Sequence, residues 1–254
     1  MAIRRKGVPA TWPTPRSVAK ICALLEEAYG SPRHGNPRRP LDNLVYILLS
    51  NRTAPSVARR VYAELKTSVH VWDDLLHLST RRLRRILVPA GLANKRTKQL
   101  KGALDAITAT FGKASLTALR KWPEAKAQVY LSQLPGVSTK VAKCVLMYSC
   151  GRQVLPVDVH VHRVSQRLGW HSHKRSDQSH ETLEAIVPRE LRYGFHVNAL
   201  AHGRVICLPT EPLCGQCVLR TSCAYFKARN ASMRLKSGSV PRQSSLSPNG
   251  SHET

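Results

Sequence analysis

Four of the seven cysteines in this 254-residue chain crowd into a short run near its C-terminal end, Cys207-x6-Cys214-x2-Cys217-x5-Cys223. Four thiols so close in sequence cannot all pair as unstrained disulfides, but they can wrap one metal centre. A tetrahedral zinc ion and a cubane [4Fe–4S] cluster both accept four cysteines, and spacing alone leaves the two open. An odd cysteine total with this crowding also argues against a secreted disulfide framework, so an intracellular, reducing compartment is expected.

The charge balance points to the partner. Forty Lys and Arg against fifteen Asp and Glu leave a net charge of +25, which calls for a polyanion: nucleic acid by default, an anionic membrane surface as the rival. The longest apolar run, Leu44 to Leu49, is far short of the roughly 20 residues of a membrane helix. The basic N-terminus lacks the apolar stretch of a secretory signal. With 42% hydrophobic residues, the bulk of the chain has enough to bury for an ordinary globular core.

Periodicity is helical throughout. Leu41, Leu44, Val45 and Leu48 fall at i, i+3, i+4, i+7; Val57, Val61 and Leu65 repeat the pattern after Pro55-Ser56; Leu100, Leu104, Ile107 and Phe111 stack ahead of Gly112. Helices are expected over 17–29, 115–122, 124–133, 138–148, 158–168, 179–187 and 190–202 as well. No run of period-two alternation stands out, so the fold class is all-α. Residues 1–15, basic and proline-containing, read as a flexible arm. Residues 227–254, rich in Ser with almost nothing to bury, read as a disordered basic tail.

Two further pieces carry chemistry. Leu134-Pro135-Gly136-Val137-Ser138-Thr139-Lys140 reads as a tight turn between two helices. Gly136 there permits a positive φ, and the free amides opening the second helix offer a phosphate site. Such a helix–hairpin–helix grips the DNA backbone without reading sequence. Lys140, in the first turn of that helix, is either a phosphate contact or a nucleophilic amine suited to Schiff-base chemistry. Asp158, after Pro156-Val157, is a natural N-cap and also a carboxylate fit to stand beside a cation-forming reaction centre. His171, His173 and His180 read as a polar loop rather than a second metal site, and Cys22, Cys144 and Cys150 as small core residues. Arg81, Arg82, Arg84 and Arg85 read as a solvated helix face or as backbone contacts.

Taken together, the hairpin with Lys140, the segment Val157-Asp158-Val159-His160 and the four-Cys run resemble the endonuclease III family of DNA glycosylases. Leu48-Leu49-Ser50, Gly91-Leu92 and His202-Gly203-Arg204 fall where that family's pattern places them. The resemblance spans roughly residues 17–226. It implies a two-lobed helix–hairpin–helix glycosylase fold: a six-helix barrel lobe over 33–152, and a cluster lobe joining 16–32 to 153–226. It also implies that Lys140 attacks the deoxyribose C1′ and that Asp158 stabilises the developing oxocarbenium charge. Cys207, Cys214, Cys217 and Cys223 would hold a [4Fe–4S] cluster, with zinc the alternative.

Gly136, Val137 and Ser138 would contact the DNA backbone, Leu92 would be an apolar wedge, and Arg52 would fill or border the gap left by an extruded base. Departures from the family pattern are Ser138 in place of a glycine, Arg52 in place of a glutamine, and a cluster loop, Leu208 to Leu213, that has no basic residue and contains Glu211. The expected activity is base excision from duplex DNA, an oxidised pyrimidine being the expected target, followed by β-elimination at the abasic site, by a monomer. The alternatives are a glycosylase for thymine or uracil opposite guanine with weak lyase activity, and a non-catalytic iron–sulfur DNA-binding protein.

Overall fold

The computed structural model of the protein describes residues 12–237, and every regular element among them is helical. The first helix, α1 (Pro15–Tyr29), starts where Thr14 Oγ1 accepts from the Ser17 amide at 3.2 Å and Pro15 supplies a preset φ; it stops at Gly30 with φ +67°. The expected arm therefore ends at its cap, and residues 1–11 lie outside the described range.

Seven helices follow and share one core. They are α2 (Pro40–Ser50), α3 (Pro55–Ser68), α4 (Asp74–His77), α5 (Thr80–Leu87), α6 (Ala93–Phe111), α7 (Glu124–Gln133) and α8 (Thr139–Cys150). Their apolar stripes close on one another from Leu41 to Val154, with α2 buried on nearly every side and packed on α3 and α8. The extended segment 151–158 then crosses to a second core: Val154 belongs to the first cluster, Leu155 and Val157 to the second. That second core is closed by α9 (Val159–Arg167), α10 (His180–Ile186), α11 (Arg192–Val205) and, from the other end of the sequence, α1, whose Val18, Ile21 and Leu25 pack with Phe195 and Ala199 of α11.

Some elements differ from the sequence expectation. Residues 115–122 form one 3-10 turn, Thr117–Arg120, rather than a helix. Leu116 and Leu119 both point inward, and Pro123 bars Trp122 from continuing a helix. The arginine-rich segment is a helix, α5, whose Leu83, Ile86 and Leu87 are buried while Arg81, Arg82, Arg84 and Arg85 are exposed. Disorder from residue 227 is corrected as far as residue 237, because α12 (Ala224–Ser237) runs through it. Residues 227–232 of that helix are all exposed. The rest of the expected tail lies outside the described residues. The expected polar histidine loop is also corrected. His171 and His180 are 4% and 3% exposed, and His171 lies against the rings of His162 and His173. No helix among the described residues is long and apolar enough to cross a membrane.

Candidate active site and cysteine cavity

The hairpin between α7 and α8 is pinned from within. Leu134 and Val137 are buried, and the Val137 amide donates to the Leu134 carbonyl at 3.0 Å, closing a turn in which Gly136 holds φ +82°. Val137 is thus a core residue with its amide already used. Gly136 and Ser138 are exposed. A side chain at 136 would collide with Gln99 of α6 in addition to straining the turn. Ser138 caps α8, its Oγ accepting from the Val141 amide at 3.4 Å. The amides of Thr139 and Lys140 have no hydrogen-bond partner among the described residues. Lys140 is half-buried on that first turn.

Asp158 ends the crossover and caps α9. Its Oδ1 accepts from the amides of His160 and Val161, each at 2.9 Å, while Oδ2 has no partner among the described residues and stays available. Lys140 and Asp158 bear on the same two buried groups. Burial pushes the Cys144 thiol up to about 11, with Lys140 pulling it down and Asp158 pushing it up. Burial holds the His196 imidazole down at about 4, against an upward pull from Asp158 and together with a downward push from Lys140. Both charges therefore lie within electrostatic reach of one buried patch, formed by Cys144 of α8 and His196 of α11.

Sequence reasoning missed most of that patch. His196 donates Nδ1–H to the Pro156 carbonyl at 2.8 Å, which leaves Nε2 to accept from the Tyr148 hydroxyl at 2.5 Å. The His34 ring stacks on Tyr148 at 3.4 Å between centroids. Lys140, Cys144 and Tyr148 recur every four residues, a signal readable from the sequence; nothing local marks His34 or His196. Lys143, the other lysine of this helix turn, is buried and paired with Glu184 of α10 at 2.5 Å, so its amine is already committed.

Leu92 and Arg52 stand on neighbouring turns, both exposed and both in the left-handed region, at φ +51° and +60°. Leu92 keeps 59% of its surface in solvent. The two turns are joined by Thr53 Oγ1 donating to the Ala90 carbonyl at 3.0 Å.

The four cysteines near the C-terminus line one cavity together with Arg167, Ile206 and Tyr225. Arg167 Nη1 donates to Cys207 Sγ at 3.2 Å and to the Leu208 carbonyl at 2.7 Å, and Arg163 Nε donates to the Cys207 carbonyl at 2.8 Å. Two arginines one turn apart on α9 thus fasten the loop. Burial first, then the neighbouring sulfurs, push the Cys217 and Cys223 thiols up. Among the described residues no three His, Cys, Asp or Glu side chains converge tightly enough for a single metal ion.

Comparison with known proteins gives consistent matches. The family model described as HhH-GPD superfamily base excision DNA repair protein matches residues 45–189. An Arabidopsis thaliana protein named as a DNA glycosylase is 32% identical over 167 residues, covering 65% of this chain and 57% of that one, so the chain spans little more than half of that relative. Endonuclease III of Thermotoga maritima is 26% identical over 198 residues, covering 78% of this chain and 89% of its own. Among solved structures, a trapped endonuclease III–DNA covalent intermediate superposes with a TM-score of 0.74 at 24% identity, covering 86% of this chain and 99% of that one. A thermostable thymine-DNA glycosylase gives 0.70 at 20% identity, covering 83% and 97%. At those identities the structural matches establish the fold.

Proposed function

Because the chain belongs to the HhH-GPD superfamily of base excision DNA repair proteins, we propose that it is a DNA glycosylase with lyase activity at abasic sites, acting on duplex DNA through Lys140 and Asp158. The observation that carries this reading is that an amine and a carboxylate with a free oxygen bear on one patch beside the exposed hairpin. The two packed cores are read as the barrel lobe and the cluster lobe, with the flipped nucleotide entering between them.

In this mechanism the Lys140 Nζ attacks the deoxyribose C1′ as the base departs with the glycosidic electron pair, and a proton completes the leaving base. Asp158 stabilises the positive charge that develops at C1′. Opening of the sugar ring leaves an imine between Nζ and C1′. Loss of a C2′ proton then expels the 3′ phosphate, and water releases the enzyme. An oxidised pyrimidine is the proposed target. Gly136 and Ser138 with the free amides of Thr139 and Lys140 grip phosphate, while Leu92 and Arg52 enter the helix around the vacated position.

Cys207, Cys214, Cys217 and Cys223 fit a [4Fe–4S] cluster. The four thiols line one shared cavity and are the ligand set that such a cluster takes, zinc being the alternative that accepts the same set. When bound, the cluster would cross-link the segment 207–223 to itself and supply a positive charge that offsets four thiolates. Iron and sulfide analysis of the purified protein tests this; stoichiometric zinc would replace it.

Borohydride trapping on an abasic-site duplex tests the chemistry. The wild type is expected to give a covalent adduct that Lys140→Ala abolishes and Asp158→Asn weakens. A folded wild type that forms no adduct would reduce Lys140 to a phosphate contact.

A further inference from the structure

Arg96 is an arginine that the proposed chemistry does not use. It lies one turn into α6, is 3% exposed, and has no carboxylate partner among the described residues. A buried cation without a counter-ion is costly unless every donor is directed at an acceptor. Here Nη1 donates to the Ala90 carbonyl at 2.6 Å, and Nη2 donates to the Asn51 carbonyl at 2.6 Å and to Thr53 Oγ1 at 2.9 Å. Asn51 and Thr53 flank Arg52. Ala90 precedes Gly91-Leu92, and the Arg96 amide itself donates to the Leu92 carbonyl at 2.9 Å.

One guanidinium therefore holds both turns whose apex residues sit in a backbone conformation that non-glycine side chains keep only when their surroundings impose it. We infer that Arg96 is a positioning residue that locks Arg52 and Leu92 into a single preformed wedge, so that the two enter a duplex together. The inference rests on the proposed role of Arg52 and Leu92 at the DNA. The planar fork is what the task requires: it reaches two turns at once with fixed angles, which a lysine's single ammonium cannot do. Thr53 Oγ1, which donates to the Ala90 carbonyl while accepting from Arg96, completes the tie.

The experiment uses the full chain and a duplex carrying a tetrahydrofuran abasic analogue opposite 2-aminopurine, whose fluorescence rises when it loses its stacking partners. Affinity for undamaged duplex is measured in parallel by anisotropy. Wild type is expected to raise the fluorescence, and Arg52→Ala/Leu92→Ala to remove the rise. Arg96→Met is expected to cut it about tenfold, the ratio set by about 1.4 kcal/mol, with affinity for undamaged duplex unchanged. Added to Arg52→Ala/Leu92→Ala, it is expected to change nothing more.

A wild-type protein that binds without any rise would refute the wedge reading itself, whatever Arg96 does. A wild-type rise kept by folded Arg96→Met overturns the positioning role. So does a further loss of undamaged-duplex binding when Arg96→Met is added to the double variant, since that marks general structural damage. If Arg96→Met does not fold, Arg96→Lys decides: a reduced rise supports the role and a wild-type rise overturns it.

Discussion

Leu92 holds φ at +51° with more than half of its surface in water, so neither backbone preference nor burial favours leucine there. Such a residue is retained against its local energetics, and its side chain is free to act on something outside the molecule. Asparagine tolerates the left-handed region better. Leu92→Asn is therefore expected to raise stability by up to about 1 kcal/mol in urea denaturation while losing the fluorescence response on abasic duplex. A destabilised variant would show that the leucine side chain packs in the folded state. Lys143 is the opposite case, an amine removed from water and held by one carboxylate that also accepts from the Leu155 amide at 2.7 Å. Lys143→Met leaves Glu184 without its cation and is expected to cost about 3–5 kcal/mol, read as a lowered urea midpoint. A change below 1 kcal/mol would show that water replaces the pair.

Helix starts do two jobs in this fold. At α9 the carboxylate that caps the helix is also the candidate catalytic acid group, with one oxygen given to the amides of His160 and Val161 and the other left free. Asparagine caps about as well as aspartate and alanine does not. Asp158→Asn is expected to lose base excision while keeping most of the stability, and Asp158→Ala to lose excision and about 1 kcal/mol besides, measured by thermal and urea unfolding. Equal stability losses in both would mean that the charge, through the helix dipole, matters more than the cap geometry. At α8 Ser138 takes the place a glycine fills in the family pattern. Its hydroxyl accepts from the Val141 amide, so the hairpin is gripped from inside, and the amides of Gly136, Ser138, Thr139 and Lys140, which have no partner among the described residues, remain for the proposed phosphate contact.

At the scale of the whole fold, burial keeps several of the described histidines neutral, among them His171 and His196. Burial pushes His171 down to about 3, aided by His162 and His173, and pushes His196 down to about 4. Their pKa values in the unfolded chain are near 6.5. Between those limits the unfolded state binds more protons than the folded one, so stability rises with pH. The contribution is complete above about pH 6.5 and is lost as pH falls towards the folded values. The thermal midpoint is expected to drop between pH 7 and pH 5, and His171→Asn to flatten that slope. A midpoint that does not change over this interval would show that the imidazoles are solvated.

The all-helical class, the end of α1 at Tyr29, the stop at Gly112 and the pinned turn at Gly136 were legible in the sequence because glycines and apolar spacing act over a few residues. The cysteine run was legible for the same reason. Short signals misled where a distant contact decided: Pro123 and the core cut the segment over 115–122 to one turn, and His171 and His180 were buried. Tyr148 shares a four-residue spacing with Lys140 and Cys144, but nothing within a few residues of His34 and His196 says that they gather on it. Nor could the sequence around Arg96 say that its side chain would bind turns that begin 45 residues earlier, at Asn51. The sequence by itself determined which residues form helices and where these start and stop, since those energies are local. Which side chains meet at the patch and behind the wedge was decided only by tertiary packing, where burial forces each polar group onto whatever acceptor the fold brings within reach.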